Sequence, residues 1–375
     1  MNKKIPETAL PFGIPLSFLF VLTMMGALSA CHSAPPPPVE TEVIVPSAEA
    51  EADTLAEEEE EEEEETPFWE DLSADVEGLP VSTFGETWAY LISGQEQYLK
   101  ANYPLTDVGY FGAEVDAYGK LTGVPNPQKI AYFPGRKHLV VACNGRGLTH
   151  FVLEPESRTR RLFVADLLEA AKNFDGLQID FEAVPARDGD AFRSFLAELR
   201  EGLAKKSLTI ALPARVQTLG SDVYDYRKIL PLVDRIFVMA YDEHWSTSAP
   251  GPIASLNWSR RVAKYALDTV GAEKLIMGLP FYGRTWGNIN TFRAFFYSGI
   301  QRIIAENHVT DIRREEGIPT FTYEIPVKVT VYYEDAHSLA ARLSMYRAMG
   351  ARAVGFWCLG QETPAVWRLL QVAAH

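Results

Sequence analysis

The stretch FDGLQIDFE, residues 174–182, sets two acids and an amide at every second position among strong strand formers. Side chains of a strand alternate between its two faces. Leu177, Ile179 and Phe181 therefore share one face, and Gln178, Asp180 and Glu182 share the other. Strands of parallel sheets are usually apolar on both faces, because helices cover them. A polar row in such a strand is unfavourable unless its members are hydrogen-bonded or open on a cavity.

The chain around this stretch alternates short β-rich runs with helical ones. Candidate strands are WAYLI (88–92), DVGYF (107–111), HLVVAC (138–143), GLQIDFE (176–182), LTIALP (208–213), RIFVMAYD (235–242), KLIMGLPFYG (274–283) and AVGFWCLG (353–360). Amphipathic helical patterns run over 158–173, 187–206, 255–270 and 335–350, the last stopping at Gly350. Eight strands with interleaved helices predict an α/β fold, a (β/α)8 TIM barrel. Residues 288–328 exceed what one connection needs. They predict an excursion between strands seven and eight, helical near 295–307. Active sites of such barrels lie at the carboxyl ends of the strands. Glu182, Asp242, Arg284, Trp286 and Trp357 all fall at or near such ends. The polar row is thus expected to point into the barrel and up into a cleft.

The formal charge of −15 is unevenly placed. Residues 1–30 carry +1 and residues 31–66 carry −14, which leaves −2 for residues 67–375. The folded part is close to neutral and has no basic stripe, which argues against nucleic acid as a partner. Three units follow: a targeting segment (1–30), a tether (31–66) and one barrel (67–375). Lys3 and Lys4 precede an apolar stretch from Ala9 to Leu28, as in secretory signals. Leu28-Ser29-Ala30-Cys31 resembles the lipobox of bacterial lipoproteins, which implies cleavage before Cys31 and lipidation of its thiol. The plainer alternatives are an uncleaved membrane anchor or an ordinary secreted chain. An acyl anchor at Cys31 implies attachment to the cell envelope, at the outer membrane or its periplasmic face, and His32 rather than Asp after the cysteine favours the outer membrane. Pro35–Pro38 and nine consecutive glutamates (57–65) read as a stiff, self-repelling spacer. Cys143 and Cys358 lie in apolar runs and read as buried free thiols.

Asp180 and Glu182 on one strand face lie about 6–7 Å apart at their Cα atoms. Like charges that close raise the pKa of one carboxyl, which suits a general acid near neutral pH. The bland alternative is a pair of interior acids satisfied by hydrogen bonds. Trp88, Tyr90, Tyr241, Tyr282, Trp286 and Trp357 form a second group near strand ends. Aromatic faces stack on sugar rings and their polar tips bond hydroxyls. No metal-ligand cluster stands out, and the chemistry suggested needs no cofactor.

These stretches together resemble glycoside hydrolase family 18, the family of chitinases and related N-acetylglucosaminidases. DGLQIDFE is similar to its DGxDxDxE signature, FVMAYDEHW to its M-x-Y-D strand, IMGLPFYGRTW to its GxPxYGR strand and GFWCLGQE to its last strand. The four occur in family order. The tail from Tyr332 to Trp367 looks more like the spore-cortex and envelope branch than like secreted chitinases. The resemblance implies retaining hydrolysis of a β-1,4 glycan after N-acetylglucosamine, with the substrate's acetamido oxygen as nucleophile. It implies Glu182 as acid and base, Asp180 as the group that orients the acetamido N–H, and Tyr241 as a donor to the acetamido oxygen. It implies Asp175, Gln178, Met239, Asp242, Arg284 and Trp357 around the sugar, with Trp357 as floor. Gln178 departs from the signature, where an Asp shares a proton with the next one. The amide is expected to bond Asp180 and leave it more readily ionised. A tethered enzyme of this kind meets peptidoglycan first and chitin-type oligosaccharides second. The rival readings are a non-catalytic glycan-binding or scaffold lipoprotein and an adhesin acting through its acidic tether.

Overall fold

The computed structural model describes residues 76–287, 293–324 and 328–374. The targeting segment, Cys31 and the tether lie outside the described residues. Eight parallel strands form the centre: β1 (Glu86–Ile92), β2 (Asp107–Val115), β3 (Arg136–Ala142), β4 (Gly176–Asp180), β5 (Ser207–Pro213), β6 (Arg235–Met239), β7 (Leu275–Pro280) and β8 (Ala353–Trp357). Each pairs with its sequence neighbour, and β8 pairs with β1, so the sheet closes into a barrel with no free edge. All eight expected strands are present. Several stop short of the predicted ends, because the chain turns over the barrel rim there. Phe181 and Glu182 follow β4 and Ala240 to Asp242 follow β6, so the residues expected to act stand on loops just above the sheet.

The outward faces carry the main core. Leu177, Ile179 and Phe181 pack against helices α1 (Arg158–Ala171) and α2 (Gly189–Leu203), where the rings of Phe181 and Phe195 lie 5.7 Å apart and those of Phe163 and Phe195 6.0 Å apart. In α2 the buried Phe192, Phe195, Leu196, Leu199 and Leu203 recur at helical spacing on one face. Helix α3 (Leu256–Val270) starts on Ser255, whose hydroxyl accepts from the Trp258 amide. Helix α4 (Ala336–Ala348) starts on a capping box between Asp335 and Ser338 and gives way to Gly350 at φ +95°. Cys143 and Cys358 are buried free thiols.

The excursion between β7 and β8 is larger than its length in sequence suggested. Gly283–Gly287, read as the tail and aftermath of strand seven, begins a separate sheet. That sheet is antiparallel, in the order 293–295, 283–287, 328–332, 318–324, 313–315, and the helix Tyr297–Glu306 packs on it. Its strands are three to seven residues long, too short for sequence periodicity to separate from loop. This small domain stands on the carboxyl end of the barrel and forms one wall of the cleft.

Candidate active site

The barrel interior rises in layers. At its base Asp107, fully buried, accepts hydrogen bonds from Thr106 and Arg136 and pairs with His138 at 2.7 Å. Burial would raise the pKa of Asp107, but the bonds from His138 and Arg136 outweigh it and hold the carboxyl below its usual range. Glu86 bridges Arg235, Arg136 and the Trp88 indole beside it. Trp88 therefore belongs to this closed base, 4.3 Å from the His138 ring, and is not a sugar platform. Above it Phe237 fills the axis. Its space comes from two glycines: a Cβ at Gly278 would stand 2.7 Å from the ring, and one at Gly355 2.2 Å from it.

The polar row of β4 comes next. Gln178 and Asp180 face inward, as the alternation predicts. Gln178 is completely buried; its Oε1 accepts from the Tyr90 hydroxyl at 2.5 Å and its Nε2 donates to Thr209 Oγ1 at 3.0 Å. The amide therefore does not bond Asp180, contrary to expectation, because Tyr90 from β1 across the barrel and Thr209 from the adjacent β5 have already claimed it. Asp180 is 6% exposed, and its Oδ1 is buried without a partner among the described residues. Burial pushes its pKa up to about 7. Glu182, on the rim and partly open to the cleft, is pushed well above the carboxylate range by burial and then by the charges of Asp180 and Asp242. The charge of an ionised Asp180 thus helps to keep the proton on Glu182.

The far side of the cleft comes from the ends of β6, β7 and β8. Asp242 adopts φ +58°, a left-handed conformation that is unfavourable for a residue with a Cβ and aims its carboxylate across the rim. Its Oδ1 accepts from Tyr282 at 2.5 Å and from Arg284 Nε and Nη2 at 2.9 and 2.7 Å. Tyr241 and Met239 are partly exposed and pack with Trp357. Trp357 ends β8 with one face partly open; its ring lies 5.1 Å from Tyr90 and 5.3 Å from Phe111, and its Nε1 is buried without a partner among the described residues. Tyr282 and Trp286 are 0% and 5% exposed, so their faces are covered and they support the wall without offering a stacking surface.

The structure therefore brings Gln178, Met239, Asp180, Glu182, Tyr241, Asp242, Arg284 and Trp357 to one cleft. It does not bring Asp175 there. Asp175 precedes β4, accepts from the Lys137 amide at 2.7 Å and is exposed at the opposite end of the barrel, about 17 Å of strand below Asp180. The place of Asp175 in the signature is structural: it ties the starts of β3 and β4 together. Sequence reading missed Thr209, whose one clue is a hydroxyl at an inward position of an apolar strand, in register with Gln178. Among the described residues no group of three or more His, Cys, Asp or Glu side chains is arranged to hold a metal ion.

A paired carboxyl row ending in a rim glutamate, opposed by a tyrosine and floored by a tryptophan in a (β/α)8 barrel, defines a glycoside hydrolase. The chain belongs to the glycosyl hydrolases family 18, whose model matches residues 145–362. It is 32% identical over 236 residues to a putative sporulation-specific glycosylase, YdhD, of Bacillus subtilis (strain 168), a match covering 59% of this chain and 56% of that protein. It is 25% identical over 300 residues to the cortical fragment-lytic enzyme of the same organism, covering 74% of this chain and 69% of the other. Among solved structures it is similar to the spore cortex-lytic enzyme SleL of Bacillus cereus, with a TM-score of 0.70 and 23% identity over 78% of this chain and 76% of that one.

Proposed function

We propose that this protein hydrolyses β-1,4 bonds after N-acetylglucosamine in peptidoglycan, with retention of configuration and with the substrate's own acetamido group as nucleophile. The observation that carries the reading is Asp180: a buried carboxyl with an unpartnered oxygen, set beneath a rim glutamate. An acetamido N–H would give the free Asp180 oxygen the partner it lacks. In the first step the acetamido carbonyl oxygen attacks the anomeric carbon. Glu182, protonated at neutral pH by its burial, gives its proton to the leaving glycosidic oxygen. Asp180 accepts from the acetamido N–H and balances the charge on the oxazolinium ring. Tyr241 donates to the acetamido oxygen, and Met239 bounds the acetamido pocket. Water then opens the ring while Glu182 takes back a proton. Asp242, fixed by Tyr282 and Arg284, binds a sugar hydroxyl, and Trp357 lies beneath the ring.

Similarity to lytic enzymes of the spore cortex supports peptidoglycan over chitin. The lipobox-like Cys31 and the acidic tether support an envelope-anchored enzyme. Replacing Cys31 by Ser is expected to release the protein from membranes, and unchanged membrane partition would remove the anchor. For the chemistry, Glu182→Gln is expected to lower kcat by about 10²–10⁴-fold with the fold intact. Proton NMR of the first-formed reducing end is expected to show the β-anomer. An initial α-anomer would exclude the retaining scheme.

A further inference from the structure

The outer side of the barrel base carries a groove that the chemistry of the cleft does not use. Its volume is about 400 Å³, and it lies among the strand starts, at the opposite end of the barrel from Glu182. Glu86, Arg136, Ser207 and Arg235 open β1, β3, β5 and β6, and all four line it. Arg200 near the end of α2, residues 204–206 after that helix and Asp234 complete the wall.

The lining sets five cations, Arg136, Arg200, Lys205, Lys206 and Arg235, against two carboxylates, Glu86 and Asp234. Arg136 and Arg235 share Glu86, Arg200 holds Asp234, and the buried Asp107 takes a further share of Arg136. Lys206 directs its ammonium at the carbonyls of Lys172 and Phe174, which carry no charge to offset its own. Lys205 is exposed at the rim. With Asp107 counted, five cations less three carboxylates leave +2, whereas residues 67–375 as a whole sum to −2. The groove is a local reversal of sign, assembled from residues that lie far apart in sequence.

The chain itself carries the complement. Residues 31–66 contain no Lys or Arg, so the nine glutamates at 57–65 have no cation within their own segment. The run ends eleven residues before Val76, where the described chain begins. From Val76 the chain turns, forms the strand Ser82–Phe84 and meets the groove at Glu86, ten residues on. The segment from Glu65 to Val76 is therefore long enough to retrace that path. Attachment over so short a length holds the run near the groove at about millimolar effective concentration, which a free anion has to exceed.

We propose that the glutamate run 57–65 docks in the basic groove of its own barrel. The contact is ionic and solvent-exposed, so it weakens as salt rises. It ties the amino-terminal segment to the base, and the cleft then faces away from the part of the chain that carries Cys31.

The test uses the full-length chain. Carbodiimide coupling, read by mass spectrometry on a mixture of isotope-labelled and unlabelled protein, is expected to join glutamates 57–65 to Lys205 or Lys206 within one chain. Those links are expected to vanish at about 1 M salt, where charges are screened within about 3 Å. Links to other faces, links that survive the salt, or links only between labelled and unlabelled chains would overturn the proposal. A second arm replaces Glu57 to Glu65 by Ser and measures binding of a free nonaglutamate peptide. The emptied groove is expected to bind it about tenfold or more tightly than the wild type does, because the wild type's own run competes. Lys205→Glu in the same background is expected to abolish that gain, with glycan hydrolysis unchanged. Equal affinity of the two proteins, or a gain untouched by Lys205→Glu, would overturn the docking. Binding of anionic lipid vesicles by the emptied groove without binding of the peptide would overturn it in favour of a membrane surface.

Discussion

At the residue scale, function and stability pull against each other in the β4 row. Burial raises the pKa of Asp180 to about 7, above the value of about 3.9 it has in an unfolded chain. A carboxyl whose folded pKa is raised contributes stability below the unfolded value, and that contribution is lost as pH rises through the folded one. The folded protein is therefore expected to weaken between about pH 4 and 7 on account of this group. Asp180→Asn is expected to raise Tm at pH 8 while lowering kcat more than binding, since the charge it balances develops in the transition state. Thermal melts at pH 5 and pH 8 check this; a variant that melts lower at pH 8 would contradict it. Removing the amide's support gives the opposite sign. Thr209→Val leaves Gln178 Nε2 without its acceptor in a sealed interior and is expected to destabilise by about 1–3 kcal/mol in urea unfolding. Period-two alternation made the row itself legible in sequence. Its partners were not, because Tyr90 stands 88 residues from Gln178 and Thr209 stands 31 residues from it. Strand pairing brings Thr209 beside Gln178, and closure of the barrel brings Tyr90 across to it.

At the scale of elements, the strands were legible and their ends were not. Apolar runs mark where the sheet lies, but Phe181 and Ala240 are as apolar as the residues before them and still leave it. Their departure matters, since it lifts Glu182 and Asp242 above the sheet into the cleft. The excursion was legible as an excess of length; its sheet of short strands was not. Two elements depend on missing side chains. Gly278 on β7 and Gly355 on β8 leave room for Phe237, and a methyl group at Gly355 would meet that ring at 2.2 Å. Gly355→Ala is expected to lower stability by about 1–3 kcal/mol and to reduce kcat as well, because Phe237 packs on Tyr90, the group that fixes Gln178. An unchanged denaturation midpoint would count against this packing.

At the scale of the whole molecule, the barrel has a sealed base and an open top, and the two do different work. The base holds Asp107 with His138 and Arg136 where no ligand is expected. Its folded pKa is depressed, so its contribution is present above the unfolded carboxylate range and is lost as pH falls through the lower folded value. Asp107→Asn is expected to destabilise by on the order of 3 kcal/mol at pH 7 and to flatten the acid limb of the stability curve. KM on glycan is expected to stay unchanged, since the base lies at the opposite end from the cleft. The near-neutral barrel and the strongly acidic segment before it were separable from charge alone, and so was the polar top. That Asp175 belongs to the bottom was hidden, because the signature is contiguous in sequence but runs the full height of the barrel. Hydrolysis after N-acetylglucosamine in peptidoglycan by Glu182 is tested by mass spectrometry of peptidoglycan digested with the wild type and with Glu182→Gln. Fragments with a reducing N-acetylglucosamine end, formed by the wild type and absent with the variant, are predicted. Reducing muramic ends, or fragments formed equally by both proteins, would contradict it.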